Sequence, residues 1–488
     1  MNKKTKLIGA VLPLFVSLFV ASCAQDGFDE ESWSSSVRDQ VLQSPASDAI
    51  VADKNADGSS WIITWPLVKG AGGFKCTVKD VTDKAKEPVV IFQDSIVDGC
   101  SLTFPRAEDT FYELEILALG KQELNNQDAT ESSIFAFNSF VPTWKTVPAG
   151  SDIATWLAAN PIPDDYEGDV CINLEPGASY TMSDVVDFGS HQGTIRSTVV
   201  TSPANIKFTG GKAGFIVADG FTMKNLNIDC SESQANLVTM SSNTKESLLY
   251  KNSIYFVTEP IYMKNCTVEN LHGRFLHDNG LKYCAKTVII DNCLVHMETT
   301  KTSPFIEFYS GGAHVNDLAI RNSTLWNTSD VSMEYFVRYH NGGQCGNVGL
   351  TTGSISYTNS TFYNISRTKK LGNYDGFKSK ATAYFTMKEC VFVDCSGNAN
   401  DEGKPQPNDG GVARYFLGGA ASPNAVFRNN TYWYEGVDMN VSSYDKTGTA
   451  ILGNPGFANP NGNVKTADFH MSGAAQNSAK IGDPRWLN

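Results

Sequence analysis

The chain repeats one short pattern of apolar and polar positions seven times between Phe221 and Tyr434. Each copy contains an apolar residue, a variable residue, Asn, a residue that is usually small, another variable residue and a second apolar residue. A repeat of this length indicates stacked supersecondary units. The third position of the copies is occupied by Asn225, Asn265, Asn292, Asn322, Asn359, Glu389 (in place of Asn) and Asn429. Consecutive members are 40, 27, 30, 37, 30 and 40 residues apart.

The residue types in the repeats decide which unit is stacked. The copies are rich in Thr, Val, Ile, Phe and Tyr and alternate between apolar and polar, which is typical of strands, whereas no helical period runs between them. We therefore predict an all-β chain with a right-handed parallel β-helix over residues 142–488. The Asn column is expected at a tight bend, since Asn tolerates a left-handed backbone. The next column is expected to be small and to point inward, and it contains Cys266, Cys293, Ser323, Ser360 and Cys390.

Both ends of the predicted β-helix carry further signals. Residues 151–159 read as a short helix with Ser151 as N-cap and Asp152 in its first turn, ended by Asn160-Pro161, and such a helix would cover the apolar end of the solenoid. The helix, followed by Leu174-Glu-Pro-Gly-Ala-Ser-Tyr180, resembles the entry of pectate-lyase-like β-helix proteins. Segments 454–457, 468–469 and 480–486 resemble the closing coil of β-helix lipoproteins encoded beside glycan importers.

Residues 44–141 predict a separate antiparallel β-sandwich. Apolar and polar residues alternate in 61–65, in 73–78 and in 111–119. The order of Trp65, Phe74 and Tyr112 resembles a fibronectin type III module, a family in which a Trp on one strand packs against a Tyr on another. The resemblance implies a spacer domain.

The first residues resemble a bacterial lipoprotein signal. Lys3, Lys4 and Lys6 precede the apolar run 7–20, which predicts a signal peptide over 1–22. Val20-Ala-Ser-Cys23 resembles a lipobox and implies cleavage before Cys23 and its diacylation. The acidic residues that follow resemble the surface-export signal of Gram-negative glycan-degrading bacteria. We thus expect an outer-membrane protein facing the exterior, held by lipid alone, with a flexible tether over 23–43 and glycan import machinery as a partner.

Charge and cysteine content narrow the function classes. The formal net charge is −13. Removal of the predicted signal peptide takes away Lys3, Lys4 and Lys6, which leaves 36 of the 39 basic residues against 52 acidic ones and a charge of −16. Nucleic acid is therefore an unsuitable partner, because binding to its backbone needs a basic stripe. The cysteines show no CxxC pair and no zinc spacing, so no metal or cofactor is expected. Cys76 and Cys100 are candidates for a disulfide, and most other cysteines are expected to be buried thiols.

A second series of phrases precedes the Asn copies and supplies the candidate binding residues. Glu307, Arg338 and Arg414 each lie four residues before a Gly-Gly pair, which sets their alignment. A buried column of such charges would be prohibitively costly, so we expect the column to face outward. The expected face carries His277, Glu307, Arg338, Lys378 and Arg414, with Tyr309, Tyr339 and Tyr415 beside it.

Three functions fit this face. Arginine forks bind carboxylates and tyrosines offer flat faces to sugars, so the first function is binding of an acidic, pectic polysaccharide. The alternative interpretation of the same residues is a solvated sheet face whose ion pairs contribute little. The second is a polysaccharide lyase. Resemblance to lyases of this fold implies Arg338 or Lys378 as base and Glu307 as a calcium ligand, although the sequence shows neither a calcium-binding carboxylate cluster nor paired catalytic Asp residues. The third is a structural or adhesive surface protein.

Overall fold

The computed structural model describes residues 37–54, 60–82, 86–378, 382–400, 410–419, 422 and 424–487. The predicted signal peptide and the lipidation site Cys23 lie outside these residues. The chain divides into two compact units, Met1–Phe140 and Val141–Asn488. Within the described residues, no helix combines the length and apolar character needed to cross a membrane.

The first unit contains two small antiparallel sheets. One has the strands Val51–Lys54, Ser60–Thr64 and Ser101–Pro105, and the other has Ala71–Asp80, Val89–Val97, Phe111–Gly120 and Ser133–Asn138. Side chains of both sheets share one core. Trp61 meets Tyr112 edge to face, with ring centroids 6.0 Å apart, whereas Trp65, the residue singled out in the sequence, packs on Phe74.

The described end of the predicted tether is part of this unit. Val37 and Leu42 are buried, and the backbone N–H of Leu42 donates to the carbonyl of Gln127. The tether prediction is therefore wrong for residues 37–43, because two apolar side chains there find places in the core of the unit. Cys76 and Cys100 are not joined by a disulfide, and all ten described cysteines are thiols.

The second unit is a parallel β-helix with three long sheets, which confirms the predicted fold class of an all-β chain with a small antiparallel β unit before the solenoid. Sheet A has twelve strands, which are Lys145–Val147, Val170–Leu174, Gly193–Ser197, Phe221–Lys224, Leu249–Tyr250, Ile254–Val257, Ile261–Lys264, Tyr283–Asp291, His314–Arg321, Gly353–Thr358, Ala383–Lys388 and Ala425–Arg428. Its strands pair in parallel except for the short hairpin at 249–257.

Sheets B and C complete each coil. Sheet B has nine strands, Ser179–Met182, Ala204–Phe208, Leu226–Asp229, Thr267–Leu271, Leu294–Met297, Thr324–Asn327, Thr361–Tyr363, Val391–Val393 and Thr431–Trp433. Sheet C has seven, Val186–Asp187, Phe215–Val217, Val238–Met240, Leu276–His277, Ile306–Phe308, Tyr335–Tyr339 and Lys370–Asn373. One continuous apolar core fills the space between the three sheets.

The repeated Asn forms the bend between sheet A and sheet B. All seven positions have a left-handed backbone with φ between 46° and 55°, including Glu389 at 50°. Asn265 donates a side-chain hydrogen bond to Asn225 over 3.0 Å, and Asn292 donates to Asn265 over 2.8 Å. The predicted stacked column is thus confirmed, and the small residues that follow it are buried as expected.

A short helix, Ile153–Ala159, covers the first coil and buries Ile153 and Leu157 in the core. Its N-cap is Asp152 rather than the predicted Ser151. The Asp152 carboxylate accepts from the backbone N–H of Thr155 and also from two hydroxyls of the adjacent coil, so tertiary contacts select this residue. The other α-helices are Asp375–Lys378, Gly411–Phe416 and Ala474–Ala479.

The C-terminal segment 455–487, here called the strap, lies along the outer face of sheet B instead of forming the closing coil that its sequence resembles. It contains the hairpin Phe457–Asn459 and Asp468–Met471. Trp326 of sheet B donates to the carbonyl of Gly462 over 2.9 Å, and Thr324 donates to Asp483 over 2.7 Å. The outer side chains of the late coils include Tyr363, Val391, Val393 and Trp433, and this apolar surface is what the strap covers.

Candidate functional site

The outer face of sheet C carries part of the predicted column. His277 pairs in register with Glu307, Glu307 with Arg338, and Arg338 with Asn373. Parallel strands place such partners about 4.8 Å apart. Asn373 therefore occupies the position that the sequence interpretation gave to Lys378.

Lys378 and Arg414 do not belong to sheet C, so their predicted alignment is wrong. Lys378 ends the helix Asp375–Lys378, and Arg414 lies in the helix Gly411–Phe416. The buried residues Val412, Ala413 and Phe416 follow a helical spacing, and the Gly-Gly pair used to align Arg414 follows this helix instead of a strand. The Lys378 ammonium donates to the carbonyl of Gly418 over 2.6 Å and pairs with the Asp375 carboxylate.

Two of the predicted tyrosines are not available to a ligand. Tyr339 is fully buried and packs on Tyr374 and Phe377, because it is adjacent to the outward-facing Arg338 and points to the opposite side of the strand. Tyr415 is only 5% exposed. Tyr309, at 36%, is an exposed ring beside the column, as expected.

Glu307 is the centre of an ion-pair network. Its Oε2 lies 2.6 Å from Nη2 of Arg274, and its Oε1 lies 3.2 Å from Nη1 of Arg338. The Arg338 guanidinium carbon lies 3.6 Å from the centre of the Tyr309 ring, a close cation–π contact. This network holds Arg338 in one orientation on the surface of sheet C.

His277 and Asp278 border this network. The imidazole of His277 lies 3.7 Å from carboxylate oxygens of both Asp278 and Glu307. Burial lowers the pKa of His277, and the nearby Arg274 lowers it further. Burial raises the pKa of Asp278, although its carboxylate accepts backbone N–H bonds from Gly280, Tyr309 and Ser310. His277 is therefore mainly neutral at pH 7.

Three residues that the sequence interpretation missed extend the site. Arg274, Tyr335 and Lys370 lie three residues before His277, Arg338 and Asn373 respectively, so the spacing of the repeat contained the signal. Tyr335 pairs in register with Lys370. The Lys370 ammonium lies 5.5 Å from the Tyr415 ring centre, and the Arg414 guanidinium lies 5.3 Å from the same ring.

The result is a basic run along the outer face of sheet C and onto the adjacent helix Gly411–Phe416, defined by Arg274, Arg338, Lys370 and Arg414. Glu307 lies between Arg274 and Arg338. Tyr335, which is close to Arg338, pairs in register with Lys370, and the Tyr415 ring is close to both Lys370 and Arg414. Arg338 also lies 5.6 Å from the Tyr335 ring centre and 3.5 Å from Glu334. The acidic neighbours Glu307 and Glu334 are engaged with these arginines, and Lys370 is exposed.

The site offers little to a metal ion. Among the described residues, no group of three or more His, Cys, Asp or Glu side chains is placed to hold a metal. Both oxygens of Glu307, the predicted calcium ligand, face guanidinium groups. A carboxylate surrounded by cations is a poor ligand for Ca²⁺, which needs several oxygen ligands.

Comparison with known proteins adds two domain families. Residues 3–178 match DUF4992, a domain of unknown function, and residues 178–328 match DUF4957, also a domain of unknown function. No curated protein matches the chain. A solved structure named "Myokine structure" matches with 13% identity over 20% of this chain and 96% of that chain, at a TM-score of 0.16, too low to assign a fold or a function.

Proposed function

We propose that this protein binds an acidic, pectic polysaccharide along the outer face of sheet C. The basic run of Arg274, Arg338, Lys370 and Arg414 is the observation that carries the proposal, because it lies on an acidic chain with a net charge of −13. Local positive charge on such a surface attracts a polyanion regardless of the total. Successive coils are about 4.8 Å apart, so the run can follow a linear polymer.

The arrangement suits binding through carboxylate groups. Arginine forks pair with carboxylates through two parallel hydrogen bonds, and such charge-assisted bonds are about twice as strong as neutral ones. Glu307 and the Tyr309 ring hold Arg338 before a ligand arrives, which lowers the entropy lost on binding. The exposed part of Tyr309 lies beside this guanidinium and offers an apolar surface to a sugar ring.

Binding is favoured over β-elimination by the state of the candidate base. Burial alone would lower the pKa of Arg338, but its contacts with Tyr309, Glu334 and Glu307 raise it. A guanidinium that stays protonated cannot accept the C5 proton of a uronic acid. Lys378, the other candidate base, is paired with Asp375.

The proposal includes the setting implied by the resemblances, a surface lipoprotein anchored through Cys23 that works beside outer-membrane glycan import machinery. A fibronectin type III-like spacer is supported by the two-sheet core of the first unit and by Tyr112, whose hydroxyl donates to the carbonyl of Ala107 in the manner of a tyrosine corner. Cys23→Ser is expected to move the protein from the membrane to the soluble fraction. Unchanged membrane retention would contradict the anchor.

Lys370→Gln tests the binding face, with Lys286→Gln on sheet A as the matched control. We expect Lys370→Gln to weaken polygalacturonate binding by about three- to tenfold, the usual contribution of one hydrogen bond, and the control to bind like the parent. Parent binding should weaken as salt rises from 0.05 to 0.5 M, measured by calorimetry. Equal binding by Lys370→Gln and the parent would instead assign sheet C a structural or adhesive role.

A further inference from the structure

A groove of about 720 Å³ lies on another face of the β-helix, outside sheet B. Its floor is the outer side of the first four strands of sheet B, here called the open half, and its wall is formed by Val464 and Lys465 of the strap. A volume of this size lies within the range of small-molecule sites. The groove is separate from the basic run, which lies on sheet C.

The floor presents polar side chains at two positions of each strand. Ser179, Asn205, Asn227 and Thr267 form one row in register, and Thr181, Lys207, Asp229 and Glu269 form the second. The apolar neighbours of these residues point into the core. The groove therefore offers hydroxyl, amide, carboxylate and ammonium groups at the regular spacing of the coils.

The first row contains a chain of oriented amides. Asn227 donates through its side chain to Asn205 over 3.0 Å, and Asn205 donates to the carbonyl of Gly177. Each of these amides has a further N–H, and Asn227 has its carbonyl oxygen. Groups that both donate and accept, held in a row by one another, match the hydroxyls of a sugar chain.

The charged groups in and around the second row are two cations, Lys207 and Lys465, and three anions, Asp229, Glu232 and Glu269. Lys207 forms a 2.7 Å ion pair with Glu232, while Asp229 accepts hydrogen bonds from the backbone of Ser231 and the side chain of Asn270. Lys465 lies close enough to Glu269 to act on its charge. Unlike the basic run on sheet C, this groove has no excess positive charge with which to attract a polyanion.

We propose that the open half of sheet B is a second carbohydrate site, which takes a neutral oligosaccharide lying across successive coils. Asn205, Asn227 and Thr267 bind its hydroxyls along one row, and Asp229 and Glu269 accept hydroxyl hydrogens along the other. The Val464–Lys465 wall limits the ligand to the first four coils. The site differs from the sheet C face both in position and in the charge of its ligand.

The test uses the mature chain and unbranched neutral pentasaccharides of arabinose, galactose, xylose and glucose, titrated by calorimetry in 0.5 M NaCl. At this ionic strength the Debye length falls to about 4 Å, so the surface attraction proposed for sheet C is screened. Asn227→Ala should weaken binding by about three- to tenfold, as expected for lost hydrogen bonds. Asn227→Trp should abolish binding by filling the groove.

Asn243→Ala and Asn243→Trp, at an exposed position after the sheet C strand Val238–Met240, are matched controls and should bind like the parent. Circular dichroism would check that each variant keeps its β-sheet content. The proposal is overturned if none of the pentasaccharides binds, or if Asn227→Trp binds as tightly as the parent. Weaker polygalacturonate binding by Lys370→Gln, with pentasaccharide binding intact, would separate the two sites.

Discussion

The two ends of sheet B have the same backbone and opposite surfaces. Its first four strands form the open half, whose outer side chains are polar and line a groove. Its last four strands, here called the covered half, carry outward Trp326, Tyr363, Val393 and Trp433 under the strap. The strand pairing is parallel throughout, with one register shift between Thr267–Leu271 and Leu294–Met297, so the two parts differ chiefly in their outer side chains.

The Asn column shows the same division. In the open half the amides bond to one another from coil to coil. Beyond Asn292 this chain ends, because Arg485 of the strap donates to the Asn292 side chain over 2.7 Å and Asn322 turns to Asp291. Arg485 of the strap, which also donates to the carbonyl of Asn322, thus contacts the Asn column where the chain of amides ends.

Of the contacts that distinguish the two halves, the contact of Trp326 with the strap should contribute most to the free energy of unfolding. Trp326 is buried, donates to Gly462 and packs on Phe469. Trp326→Ala is expected to cost about 3–5 kcal/mol, as for other buried aromatic deletions. Asn227→Ala, at an outward position of the open half, should cost about 1 kcal/mol or less. Urea denaturation, with hydrogen exchange of strap amides, measures the loss of unfolding free energy in both variants. Equal losses would contradict the difference between the open and the covered half.

Acid should strengthen the covered half. Burial raises the pKa of Asp483 to about 6, although Arg485, Thr324 and backbone contacts oppose the shift. Because the folded pKa exceeds the unfolded value, the contribution is full below about pH 4 and is lost as the pH rises through 6, a change of up to about 3 kcal/mol.

Asp483→Asn should remove this dependence, since an amide does not titrate in this range. The measurement is the difference in free energy of unfolding between parent and variant at pH 4.5 and at pH 7.5. A difference that is the same at both values would show that Asp483 does not couple the strap to pH.

The Asn column offers the smallest and finest comparison. Asn265→Ala replaces a residue that tolerates the left-handed backbone and also removes two side-chain hydrogen bonds. Asn359, with φ 46°, shares the left-handed backbone, but its side chain has no hydrogen bond to another described residue. We expect Asn265→Ala to cost about 1–2 kcal/mol more than Asn359→Ala in thermal or urea unfolding.

Glycine variants separate the two causes of this cost. Asn359→Gly should recover nearly all of the loss, because glycine adopts the left-handed backbone without strain. Asn265→Gly should recover only the backbone part and remain less stable than the parent. Full recovery in both variants would show that the amide chain contributes nothing.

On sheet C, the alignment predicted from the repeat is correct for some residues of the column and wrong for others. His277, Glu307 and Arg338 were aligned by sequence and are aligned in the structure. Arg414 was aligned by the same Gly-Gly spacing but lies in a helix, since a glycine pair can follow a helix as well as a strand. The sequence does not identify Lys370 because Lys378, instead of Asn373, is aligned with Arg338, and the strand Lys370–Asn373 is then overlooked.

The sequence by itself determined the stack of coils, the Asn bends and the inward column of small residues. These features repeat along the chain, and each copy faces the same neighbours, so a local pattern is sufficient to specify them. Only the tertiary structure decided that Glu307 is shared by two arginines, that Asp152 caps the first helix and that the strap lies on sheet B. Each of these depends on contacts between residues far apart in sequence, such as Thr324 and Asp483, and no periodicity records which distant side chains will meet.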